Sequence, residues 1–338
     1  MNASKSACVG SLCVTLALVV LGLSAPIEAQ ENEKSYRNGF LTPIPVPPTE
    51  VEWLSARYKL LEETLAERGY VLGRNLSIEY RSSEGRDERL PGLVAELLRL
   101  KVDVLLTLGS PQTRAAQQAT TTTPIVMVTV LDPVGAGFVK SLSRPGGNIT
   151  GNSELSEDLA PKRLELIKEL LPKAALIAVL WDPTHPTNAL DLRRTELAAQ
   201  TLGLKVRGVG AHQLPEIEKA FVEMQRWHPD AVVILTSGSS VVHVRRIVEL
   251  ANKSKLPAIY GTDIASKPGA LLSYGPDFQD QTRHAALFVD SILKGAKPAD
   301  LPVRLPTKFR LVLNLSTAKG LGLTIPQSLV LRADDILQ

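Results

Sequence analysis

The amino-acid sequence predicts an α/β protein built from two doubly wound, parallel-sheet lobes. With 338 residues, the chain exceeds the ~100–200 residues of one typical domain. From Gly39 onward, short apolar runs alternate with helical patterns, which is typical of parallel strands joined by helices. The order also repeats, because Asp103–Ser110 is similar to Asp230–Gly238 and each is followed by a helix and a proline-led apolar strand. We therefore expect two similar lobes.

The first lobe begins with a segment that has the pattern of an amphipathic helix. Apolar residues from Val51 to Leu65 recur at intervals of three and four, and Gly69 ends the helix. The other elements predicted in this half are strand Leu76–Tyr80, a helix over Asp87–Leu100, strand Asp103–Leu108, a helix after Pro111 and strand Pro124–Val130. The turn-rich segment Arg144–Asn148 suits a crossover between lobes, although a surface loop explains it equally well.

The second half repeats this alternation. Its predicted elements are strand Ala175–Trp181, a helix ending near Leu202, strand Leu204–Val209, helix Leu214–Trp227, strand Ala231–Thr236, helix Val241–Asn252 and strand Pro257–Tyr260. A last stretch contains strand Gly269–Tyr274, helix Asp277–Lys294, a proline-rich loop and strand Phe309–Leu313. It is too short for a third domain, so we expect it to cross between the lobes and form a multi-strand hinge.

These elements define the expected domain boundaries. Residues 1–29 form a signal peptide, residues 30–148 with about 265–305 form the N-terminal lobe, and residues 149–264 with about 306–338 form the C-terminal lobe.

The first thirty residues have the pattern of a secretory signal peptide. Lys5 precedes the uncharged segment Ala7–Ala25, and a small residue, Ala29, follows. An uncleaved membrane anchor is the alternative, since the apolar run approaches the ~20 residues that span a bilayer. Both cysteines, Cys8 and Cys13, lie in this segment, so a mature periplasmic chain would have neither disulfides nor thiolate chemistry.

Composition narrows the class of function. Hydrophobic residues make up 44% and charged residues 22%, as in ordinary soluble domains. The formal charge is +3 without a basic stripe, which argues against a nucleic-acid partner. The sequence has no Gly-x-Ser-x-Gly elbow, no phosphate-binding loop and no dinucleotide fingerprint. We therefore expect no catalysis, no cofactor and no metal.

Several segments carry a family resemblance. They are Leu131–Val139, Leu142–Gly151, Lys162–Leu170, Ser273–Gly275, Ile292–Pro302, Pro306–Phe309 and Asn314–Lys319. In these segments the chain resembles ABC transporter substrate-binding proteins of the tryptophan-binding type, from about Phe40 to the C-terminus. It departs from them at Asp182–Pro186, where relatives often carry an Asn-Pro-Asn-like turn.

The resemblance implies a periplasmic binding protein fold of class I type, related to the branched-chain amino acid receptors. It also implies a small-molecule ligand, which for some relatives is an aromatic amino acid, and a partner ABC permease with its ATPase. We expect a monomer that meets the membrane only through the permease.

Candidate ligand-binding residues are identified by their position just after the predicted strands. In open α/β sheets ligands bind beyond the carboxyl ends of the strands, so residues just after each strand should face the inter-lobe cleft. The candidates are Thr42, Ser110, Gln112, Thr113, Thr129, Asp132, Asp182, His185, Ser237, Tyr260, Asp263 and Tyr274.

The chemistry of these residues suits a zwitterion. Ser110, Gln112 and Thr113 begin a helix and suit a carboxylate, although Ser110 is equally suited to capping that helix. Asp132 and Asp182 each suit an ammonium group or a cap of the following turn.

Three further candidates have aromatic side chains. Tyr260 and Tyr274 could stack on an apolar ligand, with a hydrogen-bonded core tyrosine as the alternative for Tyr274. His185 lies three residues after Asp182 without further metal ligands nearby in sequence, which favours a turn histidine over a zinc ligand.

The sequence thus predicts the exported solute-binding subunit of an ABC importer, which closes on a small molecule by hinge bending. The alternatives are an exported α/β enzyme acting on a small polar substrate and a ligand sensor that docks on a membrane receptor. Unchanged recovery of bound ligand distinguishes the binder from the enzyme.

Overall fold

A computed structural model describes residues 34–45, 52–154, 159–185, 187–261 and 269–338. The predicted signal peptide, both cysteines and Asp263 lie outside these ranges. Within them, no helix is long and apolar enough to cross a membrane.

The strands of the described residues form two sheets. The first sheet contains β1 Tyr36–Thr42, β2 Leu76–Ser82, β3 Val104–Leu108, β4 Ile125–Thr129 and β5 Ile149–Gly151. The second contains β6 Leu176–Trp181, β7 Lys205–Gly210, β8 Ala231–Ile234, β9 Ala258–Tyr260, β10 Leu272–Pro276, β11 Phe309–Asn314 and β12 Asp335–Leu337. The orders are β2-β1-β3-β4-β5 and β12-β11-β10-β9-β8-β6-β7. Every pair is parallel except β10 with β11.

Helices connect these strands. They are α1 Glu52–Ala66, α2 Leu90–Arg99, α3 Ser110–Ala119, α4 Leu159–Leu170, α5 Asn188–Thr201, α6 Leu214–Trp227, α7 Gly238–Val242, α8 Val244–Lys253, α9 Phe278–Leu293, α10 Leu315–Gly320 and α11 Gln327–Arg332. Short 3₁₀ turns lie at Asp87–Arg89 and Pro298–Asp300.

Helices cover both faces of each sheet. In the first lobe, α1 and α9 share one hydrophobic core with the sheet through residues such as Leu61 and Val289, and α2 packs on the opposite face through Leu97. In the second lobe, Phe221 of α6 lies in one core and Leu164 of α4 in the other. Because both faces are covered, β3 and β4 are buried along their whole length, as parallel strands usually are. The predicted two-lobed α/β fold is confirmed.

Several chain segments link the lobes. The chain leaves the first sheet after β5, returns to the first lobe with α9, and enters the second sheet again at β11. Two of these segments are tied together, because Asn152 and Arg304 form a parallel bridge and the Thr150 hydroxyl donates to the Leu301 carbonyl at 2.7 Å.

Two segments belong to a different sheet from the one expected from their position in sequence. Residues 149–151, assigned to the C-terminal lobe, form β5 of the first sheet. The reason is that the Asn148 carbonyl accepts from the Ile125 amide and its side chain donates to Thr120 and Thr123, which holds β5 against β4. Residues 272–276, assigned to the N-terminal lobe, form β10 of the second sheet, between β9 and β11.

Candidate functional site

A cleft between the lobes lies at the carboxyl ends of several strands. Its empty volume is about 880 Å³, including the space at its open mouth. The first lobe contributes residues that follow β1, β3 and β4, together with Phe278 at the start of α9. The second contributes residues of α4 and α5 and residues that follow β6, β8 and β9. This is the position expected for ligand binding in an open α/β sheet.

The start of α3 brings hydrogen-bond donors into the cleft. Gly109 precedes the helix with a φ of +105°, and a Cβ there would lie 2.8 Å from the Gln112 Oε1. Because residues with a side chain rarely adopt this φ, a glycine suits the position, and it leaves the helix without a side-chain cap. Ser110 and Gln112 both line the cleft and are each 1% exposed. The Gln112 Nε2 is buried and has no hydrogen-bond partner among the described residues.

These donors suit an anion. Amide groups in the first turn of a helix have no partner within the helix, and the helix dipole makes this end positive. A ligand carboxylate here would receive hydrogen bonds from such amides and from the Gln112 side chain. The buried amide nitrogen would then acquire the partner that it lacks.

His185 contributes a neutral donor from the second lobe. Asn188 Oδ1 accepts from the Asp182 amide and its Nδ2 donates to the Thr236 carbonyl, which fixes the orientation of the Asn188 amide. Its Nδ2 also lies 3.3 Å from the His185 Nδ1, so that nitrogen accepts and the proton of the neutral ring is on Nε2. Burial lowers the pKa of His185 to about 4 despite the charge of Asp182, so the ring is neutral near pH 7.

Three charged side chains also line the cleft: Glu154, Arg163 and Asp191. The Arg163 Nε and Nη2 each donate at 2.9 Å, to the carbonyls of Tyr274 and Gly261. Burial raises the pKa of Asp191, and the positive charge of Arg163 opposes this shift. With two carboxylates and one guanidinium among the described lining residues, the cleft favours a ligand that carries a positive charge.

Apolar residues form the remaining wall. Phe278 is its only phenylalanine, tyrosine or tryptophan among the described residues. The aliphatic side chains are those of Ile44, Leu108, Val130, Leu131, Leu159 and Val241, together with several prolines.

Five of the sequence-predicted residues lie in the lining. These are Ser110, Gln112, Thr129, His185 and Ser237. Ser237 is also the N-cap of α7, because its hydroxyl accepts from the Ser240 amide at 3.0 Å.

Two predicted threonines lie behind the wall instead. Thr42 is fully buried, and its Oγ1 accepts from the Ile44 amide at 3.1 Å and from the Tyr58 hydroxyl at 3.2 Å. Thr113 is likewise buried, with its Oγ1 2.8 Å from the Thr107 Oγ1. Both hydroxyls satisfy groups inside the first lobe.

The two predicted aspartates form turns outside the lining. Asp132 Oδ1 accepts from the Gly135 amide at 2.8 Å. Asp182 Oδ1 accepts from the amide and the hydroxyl of Thr184, and its Oδ2 lies 2.9 Å from the His212 Nδ1. Of the two roles considered for each aspartate, the structure shows the turn-stabilising one.

The expectation that two tyrosines present their rings to the cleft is corrected. Tyr260 is 1% exposed and lies in the hydrophobic core of the second lobe. Tyr274 points the other way and stacks on Phe309 with ring centroids 6.1 Å apart. Its backbone carbonyl accepts a hydrogen bond from the Arg163 Nε.

Sequence reasoning missed Glu154, Thr187, Asp191 and Phe278 as lining residues, and it used Arg163 only as part of a family segment. Arg163 and Asp191 lie within helices rather than directly after strands. Their position at the cleft depends on how α4 and α5 pack on the second sheet. The sequence held one signal for this part of the cleft, namely Arg163, because it is a charged residue on α4, a helix with a buried apolar face.

Known proteins are similar to this chain over most of its length. A family model described as ABC transporter substrate binding protein matches residues 48–337. A tyrosine-binding protein from Clostridioides difficile is 28% identical over 262 residues, which cover 77% of this chain and 75% of that protein.

Two solved structures share the fold closely. A conserved domain protein from Vibrio cholerae is 30% identical with a TM-score of 0.82, over 90% of this chain and 100% of that one. An ABC domain from Streptococcus pneumoniae in complex with L-Trp is 27% identical with the same TM-score and the same coverage of both chains.

Proposed function

The chain belongs to the family of ABC transporter substrate-binding proteins, and from this premise we propose that it captures an amino acid between its lobes for an ABC importer. The family consists of extracytoplasmic binding proteins that take up small molecules and work with an ABC transporter. The finer points, namely the amino acid, capture by hinge closure and delivery to the permease and its ATPase, are our proposal.

The observation that carries the proposal is the set of donors at the start of α3. Ser110 and Gln112 are almost fully buried, they line the cleft, and the Gln112 Nε2 has no partner among the described residues. A ligand carboxylate provides the acceptors that this helix end lacks.

The apolar wall supports an apolar or aromatic side chain. Phe278 and Leu108 form part of this wall. The similarity to a tyrosine-binding protein and to a domain that binds L-Trp supports the same ligand class. L-tyrosine and L-tryptophan are therefore the first ligands to test.

Binding to the purified protein tests the proposal. A ligand at ~100 times its dissociation constant adds ~2.7 kcal/mol of stability. Thermal unfolding with the twenty L-amino acids should reveal at least one that raises the Tm by several degrees, and chromatography should recover it unchanged. Turnover of that ligand would instead support the enzyme, and a Tm unaffected by every amino acid would reject the ligand class.

Gln112→Leu is the matched variant. It should weaken amino acid binding about 10-fold or more, because it removes a hydrogen bond to a charged group worth ~1.5–3 kcal/mol. Thr113→Val serves as a control, because the Thr113 hydroxyl is hydrogen-bonded inside the first lobe. It should lower stability while leaving the affinity within about threefold.

We also propose export by the signal peptide over residues 1–29, which gives a periplasmic, monomeric chain. Terminal sequencing of periplasmic material should find an N-terminus near Gln30. Full-length chain in the membrane fraction would favour an anchor instead.

A further inference from the structure

The charged groups at the cleft divide between the lobes. The donors at the start of α3 belong to the first lobe, whereas Asp191 lies in α5 of the second. The Asp191 carboxylate makes no hydrogen bond and no ion pair with the described residues, although its backbone carbonyl and amide are both used by the helix. The described residues thus provide a positive helix end on one side and an unpaired carboxylate on the other.

We infer that Asp191 accepts the ammonium group of the ligand while the start of α3 binds its carboxylate, so that the two charges of one zwitterion bridge the lobes. This inference rests on the proposed function and deepens it. It assigns a specificity-determining role to Asp191 and defines the ligand class as molecules with both a free amino and a free carboxyl group.

The neighbours of Asp191 support this role. Burial raises the pKa of its carboxyl group, because the negative charge is poorly solvated. Arg163 is the larger of the two influences that oppose this shift, yet it lies beyond ion-pair distance and its Nε and Nη2 are bound to carbonyls. A ligand ammonium can approach the carboxylate directly and stabilise its negative charge, which the more distant charge of Arg163 does only in part.

Glu154 is the competing acceptor. Its amide donates to the Val130 carbonyl at 2.7 Å, which holds Glu154 beside the first lobe, the same side as the α3 donors. Glu154 also interacts with another group of the protein, so it is not a free acceptor. An ammonium bound there would leave Asp191 uncompensated, and the ligand charges would not link the lobes.

The bridging arrangement has a consequence for selectivity. A ligand that lacks the amino group can bind the first lobe but cannot attract Asp191, and a ligand that lacks the carboxyl group leaves the α3 donors unpaired. Each loss should reduce affinity strongly, because a buried polar group without its partner is costly.

The experiment compares Asp191→Asn with Glu154→Gln by isothermal titration calorimetry. The probes are L-tyrosine, L-tryptophan and their deamino analogues, 3-(4-hydroxyphenyl)propanoate and 3-(indol-3-yl)propanoate. In the wild type, the amino acid should bind at least about 30-fold more tightly than its deamino analogue. Asp191→Asn should remove most of this preference by weakening the amino acid alone, and Glu154→Gln should preserve it. Thermal unfolding of the unliganded variants checks that each is folded.

The possible failures are distinguishable. If the wild type binds neither amino acid nor any other L-amino acid, the proposed function fails and the assignment fails with it. If the wild type binds but Asp191→Asn keeps the preference, or loses amino acid and analogue equally, only the role of Asp191 is overturned. Loss of the preference in Glu154→Gln alone would assign the ammonium to Glu154 and overturn the bridge.

Discussion

Two histidines near the second-lobe end of the cleft respond to pH in opposite directions. Burial lowers the pKa of His185 to about 4. Burial would also lower the pKa of His212, but the hydrogen bond with Asp182 and the charges of Asp182, Asp87 and Glu216 outweigh it, so this pKa is raised. Because the ordinary value is ~6.5, folding opposes protonation of His185 and favours protonation of His212.

The two pH dependences can be separated by substitution. As the pH falls from 7 to 4.5, the unfolded chain protonates at position 185 before the folded chain does, so wild type should lose on the order of 2 kcal/mol relative to His185→Gln. The stabilisation from His212 is fully present below about pH 6.5 and is lost as the pH rises through its higher folded pKa. Wild type should therefore lose stability relative to His212→Gln between pH 6 and pH 8.

Urea unfolding of the unliganded proteins at pH 4.5, 6, 7 and 8 measures both effects. The slope against pH is the readout, because either substitution also changes packing. Parallel curves for wild type and a variant would show that the histidine in question does not have the shifted pKa.

For individual residues, their position after a predicted strand was enough to identify part of the site. Ser110 and Gln112 follow β3 directly, so the end of a buried strand was enough to bring them to the cleft. Asp191 lies one turn into α5, and its orientation depends on helix packing that no local pattern encodes. Tyr260 ends β9 as expected, but its ring turns into the core, because alternate residues of a strand face opposite sides of the sheet.

Among the elements, β5 needs a glycine for its close approach to β4. Gly151 has a φ of +133°, and a Cβ there would lie 2.2 Å from the Met127 carbonyl oxygen of β4. Gly151→Ala should destabilise the protein by about 2–4 kcal/mol, because backbone strain and a clash with a paired strand combine.

Gly92 provides the matched control. It is exposed within α2, and a Cβ there would meet nothing within 4 Å. Gly92→Ala should therefore stabilise by about 0.5–1 kcal/mol. Denaturant unfolding measures the change in the free energy of unfolding for both variants. If Gly151→Ala leaves this free energy unchanged, β5 does not lie as close to β4 as the structure indicates.

Hydrophobic periodicity predicts most helices and strands, but it does not predict every division or the shortest strands. The segments predicted as single helices over Asp87–Leu100 and Val241–Asn252 are each divided, into a 3₁₀ turn with α2 and into α7 with α8. In the second segment the apolar spacing continues across the division and cannot reveal it, whereas Asp87–Arg89 in the first segment are all charged and none of them is buried. The strands β5 and β12 have three residues each, which is too short for an alternating pattern to be recognised.

At the scale of the whole molecule, the lobes touch across the cleft. A Cβ at Gly238 of the second lobe would lie 3.3 Å from the Pro43 Cβ of the first. This is close to the 3.5–4.5 Å separation of Cβ atoms in a disulfide. Cysteines at both positions should therefore link the lobes in this arrangement.

We expect the oxidised Pro43→Cys/Gly238→Cys variant to release bound ligand far more slowly than its reduced form. The chain without residues 1–29 suits this test, because both native cysteines lie in that segment. Stopped-flow dissociation of L-tyrosine measures the rate, and each single-cysteine variant controls for altered contacts. Equal rates in the two redox states, with the disulfide verified by mass, would show that release does not require the lobes to part.

The path of the chain through both lobes has a consequence for biosynthesis. The core of the first lobe includes Ala285 and Val289 of α9, and the second sheet needs β10, β11 and β12. A ribosome therefore makes more than 270 residues before either lobe receives its last components, and early folding intermediates lack part of their hydrophobic interior. Nascent chains stalled at residue 261 should be digested by protease in both halves, whereas the released chain should resist. A polypeptide that folds only when nearly complete stays extended long enough to be threaded through a translocation channel, as the proposed export requires.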